Sequence, residues 1–366
     1  MNADHLKIGF VRRGFSPSGG AESYLKRLAQ GVSAVGHEAR LFTTEQWPSK
    51  EWSFGPISRL AGKTPAQFAD ALEEARPATV CDVLMSLERV WQCDVYRAGD
   101  GVHRAWLQRR ARFDSVIRKV KGIFNWKHRG ILRLEESLFA HGGARHVIAN
   151  SEMVKSEIVG LYGYPAGEVH VVYNGVPFTL FASAAEKRAS TRKALGLEAD
   201  EIAVLFVGSG WSRKGLRFAL RTVEACGIPQ IRLLVAGRGN RSKHRSRKAQ
   251  FLGLVQDLPA LYAAADIFLL PTIYDPFSNA CLEALAAGIP VITTRANGFS
   301  EIMKEGKHGS IIDEPDDFVA MREALHFWAE AGRRKRARRP LQEHAANFDI
   351  SVNVARTLEI LSRPAK

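Results

Sequence analysis

The sequence predicts an α/β protein made of two doubly wound parallel-sheet domains, and three observations carry that prediction. Short apolar runs alternate with helix-periodic stretches from Lys7 to Tyr173. The same alternation restarts at Ala203, after a polar stretch from Ala182 to Asp200. Glycine-containing or acidic loops follow several of the apolar runs, where open α/β sheets hold their ligands. A chain of 366 residues with 46% apolar side chains has the material for two cores.

Lys7 to Arg12 (KIGFVR) reads as the first strand, and FSPSGGAESY supplies a Gly-Gly turn before a helix from about Ala21 to Val35, stopped by Gly36. Glycines there let backbone N–H groups approach a phosphate, and Glu22 suits the dipole of the helix start; a simple tight turn is the other reading. Further strands are expected at Glu38 to Thr43, Thr79 to Met85, His146 to Ala149 and Val169 to Val172. The run Asp94 to Gly99 ends in Asp100, followed by Gly101, Val102 and His103. This places either a reactive carboxylate or imidazole at a strand's carboxyl end, or only a turn requiring positive φ. Asn174-Gly175-Val176-Pro177 reads as a turn, and the expected domains are 1–173 with 346–366, and 174–345.

The second domain opens with the strand Ala203 to Gly208, then SGWSRKG, the helix Leu216 to Ala225 and the strand Ile231 to Ala236. Arg213 and Lys214, just before Gly215, are either solvated loop cations or a fork and a point charge able to clamp a diphosphate. A basic segment, Asn240 to Gln250, leads to Phe251-Leu252-Gly253 and a short helix from Leu258 to Ala265. Asp266 to Leu270 has the character of a buried strand, closed by Pro271. In the loop that follows, Ser278 or Asn279 is placed to cap a helix whose apolar face is Cys281, Leu282, Leu285 and Ala286, and Gly288 and Pro290 end it before the strand Val291 to Thr293. Asp275 and Glu283 lie eight positions apart on that rim, able to face one polyhydroxyl ligand while the first N–H groups of the helix face an anion. The remainder reads as a strand from Ser310, the helix Phe318 to Ala329 with the basic run Arg333 to Arg339 at its far end, and a helical segment from Phe348 to Leu361.

Composition narrows the function. No run approaches the roughly 18 consecutive apolar residues needed to cross a bilayer, and MNADHLK lacks the apolar core of a signal peptide, so a cytoplasmic location is expected. Cys81, Cys93, Cys226 and Cys281 show no C-x-x-C or Cys/His spacing, which implies reduced thiols and no metal. The net charge of +14 is local: Arg104 to Arg133 carries ten Lys/Arg against Asp114 alone, and Arg238 to Lys248 and Arg333 to Arg339 carry six each with no acid. Within Arg104 to Arg133, Trp106, Phe113, Val116, Ile117, Val120, Ile123 and Phe124 recur near helical spacing, which fits an anionic membrane surface or a core helix with a solvated basic face.

The stretch PTIYDPFSNACLEALAAGIPVI resembles the signature of the family-4 glycosyltransferases, E-x-F-G-x-x-x-x-E-A-x-A-x-G-x-P-V, from Pro276 to Val291, with Asp275 in place of the first Glu and Ser278 in place of Gly. The pattern G-x-x-x-x-x-K-G matches Gly208 to Gly215, and Gly19 and Gly20 match a Gly-rich loop that lies beside the donor phosphates in that family. The stretch DVYRAGDGVH is similar to the corresponding region of lipopolysaccharide core glucosyltransferases, which makes Asp100 a candidate catalytic residue and His103 the nearby alternative on the acceptor side. The resemblance implies a GT-B fold, two Rossmann-like domains facing across a cleft, with a nucleotide diphosphate sugar on the second and a membrane glycolipid acceptor on the first. It assigns the donor diphosphate to Arg213 and Lys214, the sugar hydroxyls to Asp275, the ribose to Glu283, and further donor contacts to Phe277, Ser278 and Asn279. A UDP-linked hexose, retention of configuration, no metal or other cofactor, and peripheral attachment to the inner membrane through 104–133 complete the expectation. The departures are the shortened carboxylate at 275 and the compressed basic segment before Phe251, which leaves the base open.

Two other classes compete with this one. A basic α/β protein that binds nucleic acid or other anions fits a pI of 9.8, but no nucleic-acid motif accompanies the basic runs. A dinucleotide oxidoreductase would need G-x-G-x-x-G after the first strand, which is not there.

Overall fold

The computed structural model describes residues 5–15, 20–114 and 126–362. Gly19 and the middle of the basic segment, 115–125, lie outside them. The chain divides into two compact units, Met1–Tyr173 with Asn353–Lys366, and Asn174–Val352. The crossing back to the first unit thus comes at Asn353 rather than at 346.

The first unit holds β1 (Lys7–Val11), β2 (Glu38–Thr43), β3 (Ile57–Arg59), β4 (Val83–Ser86), β5 (Cys93–Ala98), β6 (Ala144–Ala149) and β7 (Val169–Val171) in the order β3-β2-β1-β4-β5-β6-β7. The second holds β8 (Ile202–Val207), β9 (Ile231–Ala236), β10 (Ala249–Gly253), β11 (Ile267–Leu270), β12 (Val291–Thr294) and β13 (Gly309–Ile312) in the order β10-β9-β8-β11-β12-β13. All of these pairs are parallel, as the near-continuous burial of strands such as IFLL requires. In each sheet the strand order reverses once, between β1 and β4 and between β8 and β11, and the loops leaving those strands frame the places where such folds bind ligands.

The core of the first unit joins Ile8 and Phe10 of β1 to Leu25, Leu28, Ala29 and Val32 of the helix Gly20–Ala34, and to Ile360 and Leu361 of the last helix, Ile350–Leu361. The two helices approach so closely that a Cβ on Gly31 would lie 2.6 Å from Val354, and Tyr24 Oη meets Thr357 Oγ1 at 3.2 Å. All four cysteines are free thiols.

Three local expectations change. Thr79 to Met85 is not one strand: Pro77–Thr79 forms a 3-10 turn after Arg76, whose φ of 46° is left-handed, and β4 begins only at Val83. The short β3 has no counterpart in the sequence reading. The run Arg333 to Arg339 does not trail from the preceding helix but lies in a helix of its own, Ala331–Ala346, begun at the extended residue Glu330. The expected charge complementarity survives through one side chain, because Arg334 Nη1 donates to the carbonyls of Trp328 (2.7 Å) and Ala329 at the end of Phe318–Ala329. Among the described residues no helix is long and apolar enough to cross a membrane.

Candidate active site

In the second unit the site grows from the loops after β8 and β11. The chain leaving β8 makes a single helical turn, Trp211–Lys214, bracketed by Gly210 (φ 71°) and Gly215 (φ 78°). A Cβ on Gly215 would fall 1.8 Å from the carbonyl oxygen of Pro271, so only glycine lets this turn lie against the loop after β11. The Arg213 carbonyl accepts hydrogen bonds from Ile273 N (2.9 Å) and Thr272 Oγ1 (3.0 Å), which fixes the two loops together. Lys214 Nζ is consequently ion-paired with Asp275 Oδ2, while Arg213 Nη1 stands 3.9 Å from Asp275 Oδ1 and donates to the Tyr274 carbonyl at 3.2 Å. The Lys214 and Asp275 side chains are 13% and 5% exposed and Arg213 37%, so the guanidinium is the cation most open to an incoming anion.

The helix that follows, Asn279–Ala286, has Ser278 at its N-cap, but the serine hydroxyl makes no capping bond. The loop is held by buried Asn297 instead: its Oδ1 accepts from Ser278 N (3.1 Å) and Phe299 N (3.2 Å), and its Nδ2 donates to Thr293 Oγ1 (3.0 Å). Phe277 packs edge-on to Phe299 with 5.7 Å between rings, and Asn174 Nδ2 donates to Asn279 Oδ1 at 2.7 Å. One turn into the helix, the Glu283 carboxylate accepts the Tyr262 hydroxyl at 2.8 Å. Burial, reinforced by Glu283, holds the Tyr262 phenol well above its ordinary pKa, so it remains a donor. Asp275, Arg213 and Lys214 are therefore gathered at one switch point, and Glu283, oriented by Tyr262, stands one turn into the helix that follows.

In the first unit, Asp100 is exposed on the turn after β5, near enough to Arg12 and Glu88 that its charge bears on both. Arg12 bridges Glu22 (3.0 Å) and Glu88 (2.8 Å), joining the loops after β1 and β4 at the switch point. Burial works against the Arg12 charge, but Glu88 and Glu22 outweigh it and hold the guanidinium above its ordinary pKa. His103 stands in the first turn of the helix His103–Phe113. The N–H groups of His103 and Arg104 are both accepted by Glu135 (2.6 and 3.0 Å), which is fully buried and also takes Tyr162 Oη (2.7 Å) and Arg89 Nε (3.1 Å). The His103 ring faces His128, Nε2 to Nδ1 at 3.0 Å, and burial followed by the Arg89 charge lowers its pKa to about 4. The imidazole is therefore neutral at pH 7. Gly20 opens the helix Gly20–Ala34.

Asp275, Arg213 and Lys214 are thus brought together in one unit, with Glu283 on the adjoining helix, and in the other Asp100 lies on the turn that leads to His103 at the start of its helix. Tyr262, Asn297 and Glu135 escaped the sequence reading. Only Asn297 carries a local signal, an Asn-Gly turn after a strand.

A model of the group 1 glycosyl transferases matches residues 201–328, and one of Glycosyltransferase Family 4 matches residues 18–180. An uncharacterized glycosyltransferase of Methanocaldococcus jannaschii is 27% identical over 344 residues, spanning 83% of this chain and 84% of its own. Among solved structures, WaaG, a glycosyltransferase involved in lipopolysaccharide biosynthesis, superposes with a TM-score of 0.82 at 19% identity, covering 98% of this chain and 100% of its own. The Anabaena protein HepE, in complex with UDP and glucose, gives 0.74 at 20% identity, with 98% and 100% covered. The first unit thus carries a Glycosyltransferase Family 4 segment and the second a group 1 glycosyl transferase segment, and the two parallel-sheet units have the GT-B fold.

Proposed function

We infer that the protein is a retaining hexosyltransferase that uses a UDP-sugar, UDP-glucose or a close relative, and delivers the sugar to a membrane glycolipid of the lipopolysaccharide core type. The observation that carries this is the Lys214–Asp275 pair at the β8/β11 switch point, with Glu283 one turn into the adjoining helix. In this reading Glu283, steadied by Tyr262, binds the ribose, and Arg213 and Lys214 bind the diphosphate. Asp275 faces the sugar. An ammonium with three donors has room for Asp275 and a phosphate oxygen together, so donor binding adds a partner to Lys214 without breaking the existing pair.

A front-face transfer suits these proposed roles. The bond from the anomeric carbon to the diphosphate oxygen lengthens, positive charge gathers on the sugar ring, and the acceptor hydroxyl attacks the same face. Its proton passes to the departing phosphate oxygen, whose negative charge Arg213 and Lys214 stabilise, which is the electrostatic contribution that usually dominates. Asp275 opposes the charge on the ring. Asp100 and the neutral His103 orient the acceptor hydroxyl. With two cations at the leaving group the step needs no divalent ion.

For the acceptor, support comes from the likeness to WaaG and from the basic segment. Trp126 opens the helix Trp126–Ala140 with 80% of its surface exposed and the Arg129 guanidinium 5.2 Å above its ring, a pairing suited to the headgroup layer of an anionic, cytoplasm-facing membrane. The test is incubation with labelled UDP-glucose and truncated lipopolysaccharide in vesicles, reading UDP release and the anomeric configuration of the product. An α-linked product supports the reading. Absence of UDP release from every UDP-sugar, or an inverted product, overturns it.

A further inference from the structure

We propose that His146, Glu168 and His170, at the β6/β7 edge of the first unit's sheet, form a binding site for a divalent transition-metal ion, zinc by preference. The register of the two strands creates it. Val147 lies opposite Val169 and Ile148 opposite His170, so side chains 146, 168 and 170 emerge on one face of the sheet. His146 Nδ1 lies 2.7 Å from Glu168 Oε2 and 3.5 Å from His170 Nε2, the imidazole rings are 5.4 Å apart, and the three ligand atoms all fall within 4.8 Å of one another.

Zinc bonds of about 2.0–2.1 Å at tetrahedral angles set ligand atoms roughly 3.3 Å apart. The two nitrogens stand 3.5 Å apart, close to that spacing, and a Glu side chain 48% exposed is free to adjust its carboxylate to the ion. Two imidazoles and one carboxylate are ligands for zinc, copper or nickel rather than for magnesium or calcium. The open side at Glu168 admits the ion and a water as fourth ligand.

Position gives the site a use. β7 has three residues, lies at the sheet edge and is followed within three positions by Asn174, where the chain enters the second unit. An ion bridging β6 to β7 fastens a short edge strand of the kind that opens most readily. None of the three ligands belongs to the residues assigned to transfer, so loading or stripping the ion leaves the sugar chemistry intact.

The test uses the full chain stripped with chelator, titrated calorimetrically with Zn2+ and by visible absorption with Co2+. One ion per chain is expected, with cobalt bands of a four- or five-coordinate nitrogen–oxygen site, and a rise in melting temperature with added zinc. His146→Gln and His170→Gln should abolish the stoichiometric phase while melting as the stripped wild type does. Should either fail to fold, Glu168→Gln, altered at an exposed side chain, decides the matter: weakened zinc binding supports the site and unchanged affinity overturns it. Absence of stoichiometric binding, or binding that persists in the double histidine variant, also overturns the proposal.

Discussion

Replacing Lys214 by methionine should separate the structural from the functional duty of the Asp275 pair. The substitution leaves a carboxylate that is 5% exposed without its contacting cation, and the remaining charge, Arg213 Nη1, is 3.9 Å away and itself 37% exposed. Breaking a buried pair by removing one partner costs about 3–5 kcal/mol, and the partial compensation by Arg213 places the expectation near 3 kcal/mol. For a unit of this size that corresponds to a fall in Tm of roughly 6–12 °C. Replacing both members, Lys214→Met with Asp275→Leu, removes the orphaned charge, so the double variant should regain most of that stability. It should not regain turnover, because both groups act on the donor. Thermal unfolding of the two single variants and the double variant, beside UDP release from UDP-glucose, makes the measurement. An unchanged Tm in Lys214→Met, or a double variant less stable than either single one, would refute the reasoning.

Three further outcomes follow from the geometry. Tyr262→Phe removes the donor to Glu283 at 2.8 Å, a hydrogen bond to a charged group worth about 1.5–3 kcal/mol, and should weaken UDP and UDP-glucose by the same factor in a binding titration; loss confined to the sugar nucleotide would argue against the ribose assignment. His308, buried and stacked 4.0 Å from His344, has its pKa lowered to about 4 by burial and then by His344. The folded pKa lies below the unfolded value of about 6.5, so this stability is complete above pH 6.5 and is lost as the pH falls toward 4, with a slope of up to about 1.4 kcal/mol per pH unit. Denaturant midpoints across that window should flatten in His308→Asn, and an unaltered slope would contradict the assignment. Turnover should persist in chelator, since Arg213 and Lys214 neutralise the leaving group; complete loss restored by Mg2+ or Mn2+ would show that a divalent ion does so.

The parts of the site legible in the sequence are those written within one strand–loop–helix. Asp275 and Glu283 sit eight positions apart on either side of a helix start, and Arg213 and Lys214 stand directly before a glycine. The pairing of Lys214 with Asp275 spans 61 positions and depends on β8 and β11 being neighbours, a fact of topology that no local pattern carries. Tyr262 reads as part of an apolar helix face because its ring is packed there, stacked 5.8 Å from Phe268, and only its hydroxyl reaches the site. Glu135 lies 32 positions beyond the His103 N–H it caps. The helix Ala331–Ala346 was missed for the converse reason: its arginines show no apolar periodicity, and only Leu341 and Ala345 are buried. The histidine pair has no local signature, because two adjacent strands supply its members.

The central claim, that the second unit binds a UDP-sugar with Glu283 on the ribose and Asp275 on the sugar, is tested most directly by calorimetric titration of the wild type, Glu283→Ala and Asp275→Ala with UDP and with UDP-glucose. A charge-assisted hydrogen bond to a hydroxyl is worth roughly 1.5–3 kcal/mol, so Glu283→Ala should weaken both ligands by about 10- to 150-fold. Asp275→Ala should weaken UDP-glucose alone and lower turnover beyond that loss, since its contact strengthens as the ring becomes positive. Equal weakening of UDP and UDP-glucose in Asp275→Ala, or no binding of either ligand to the wild type, would contradict the account.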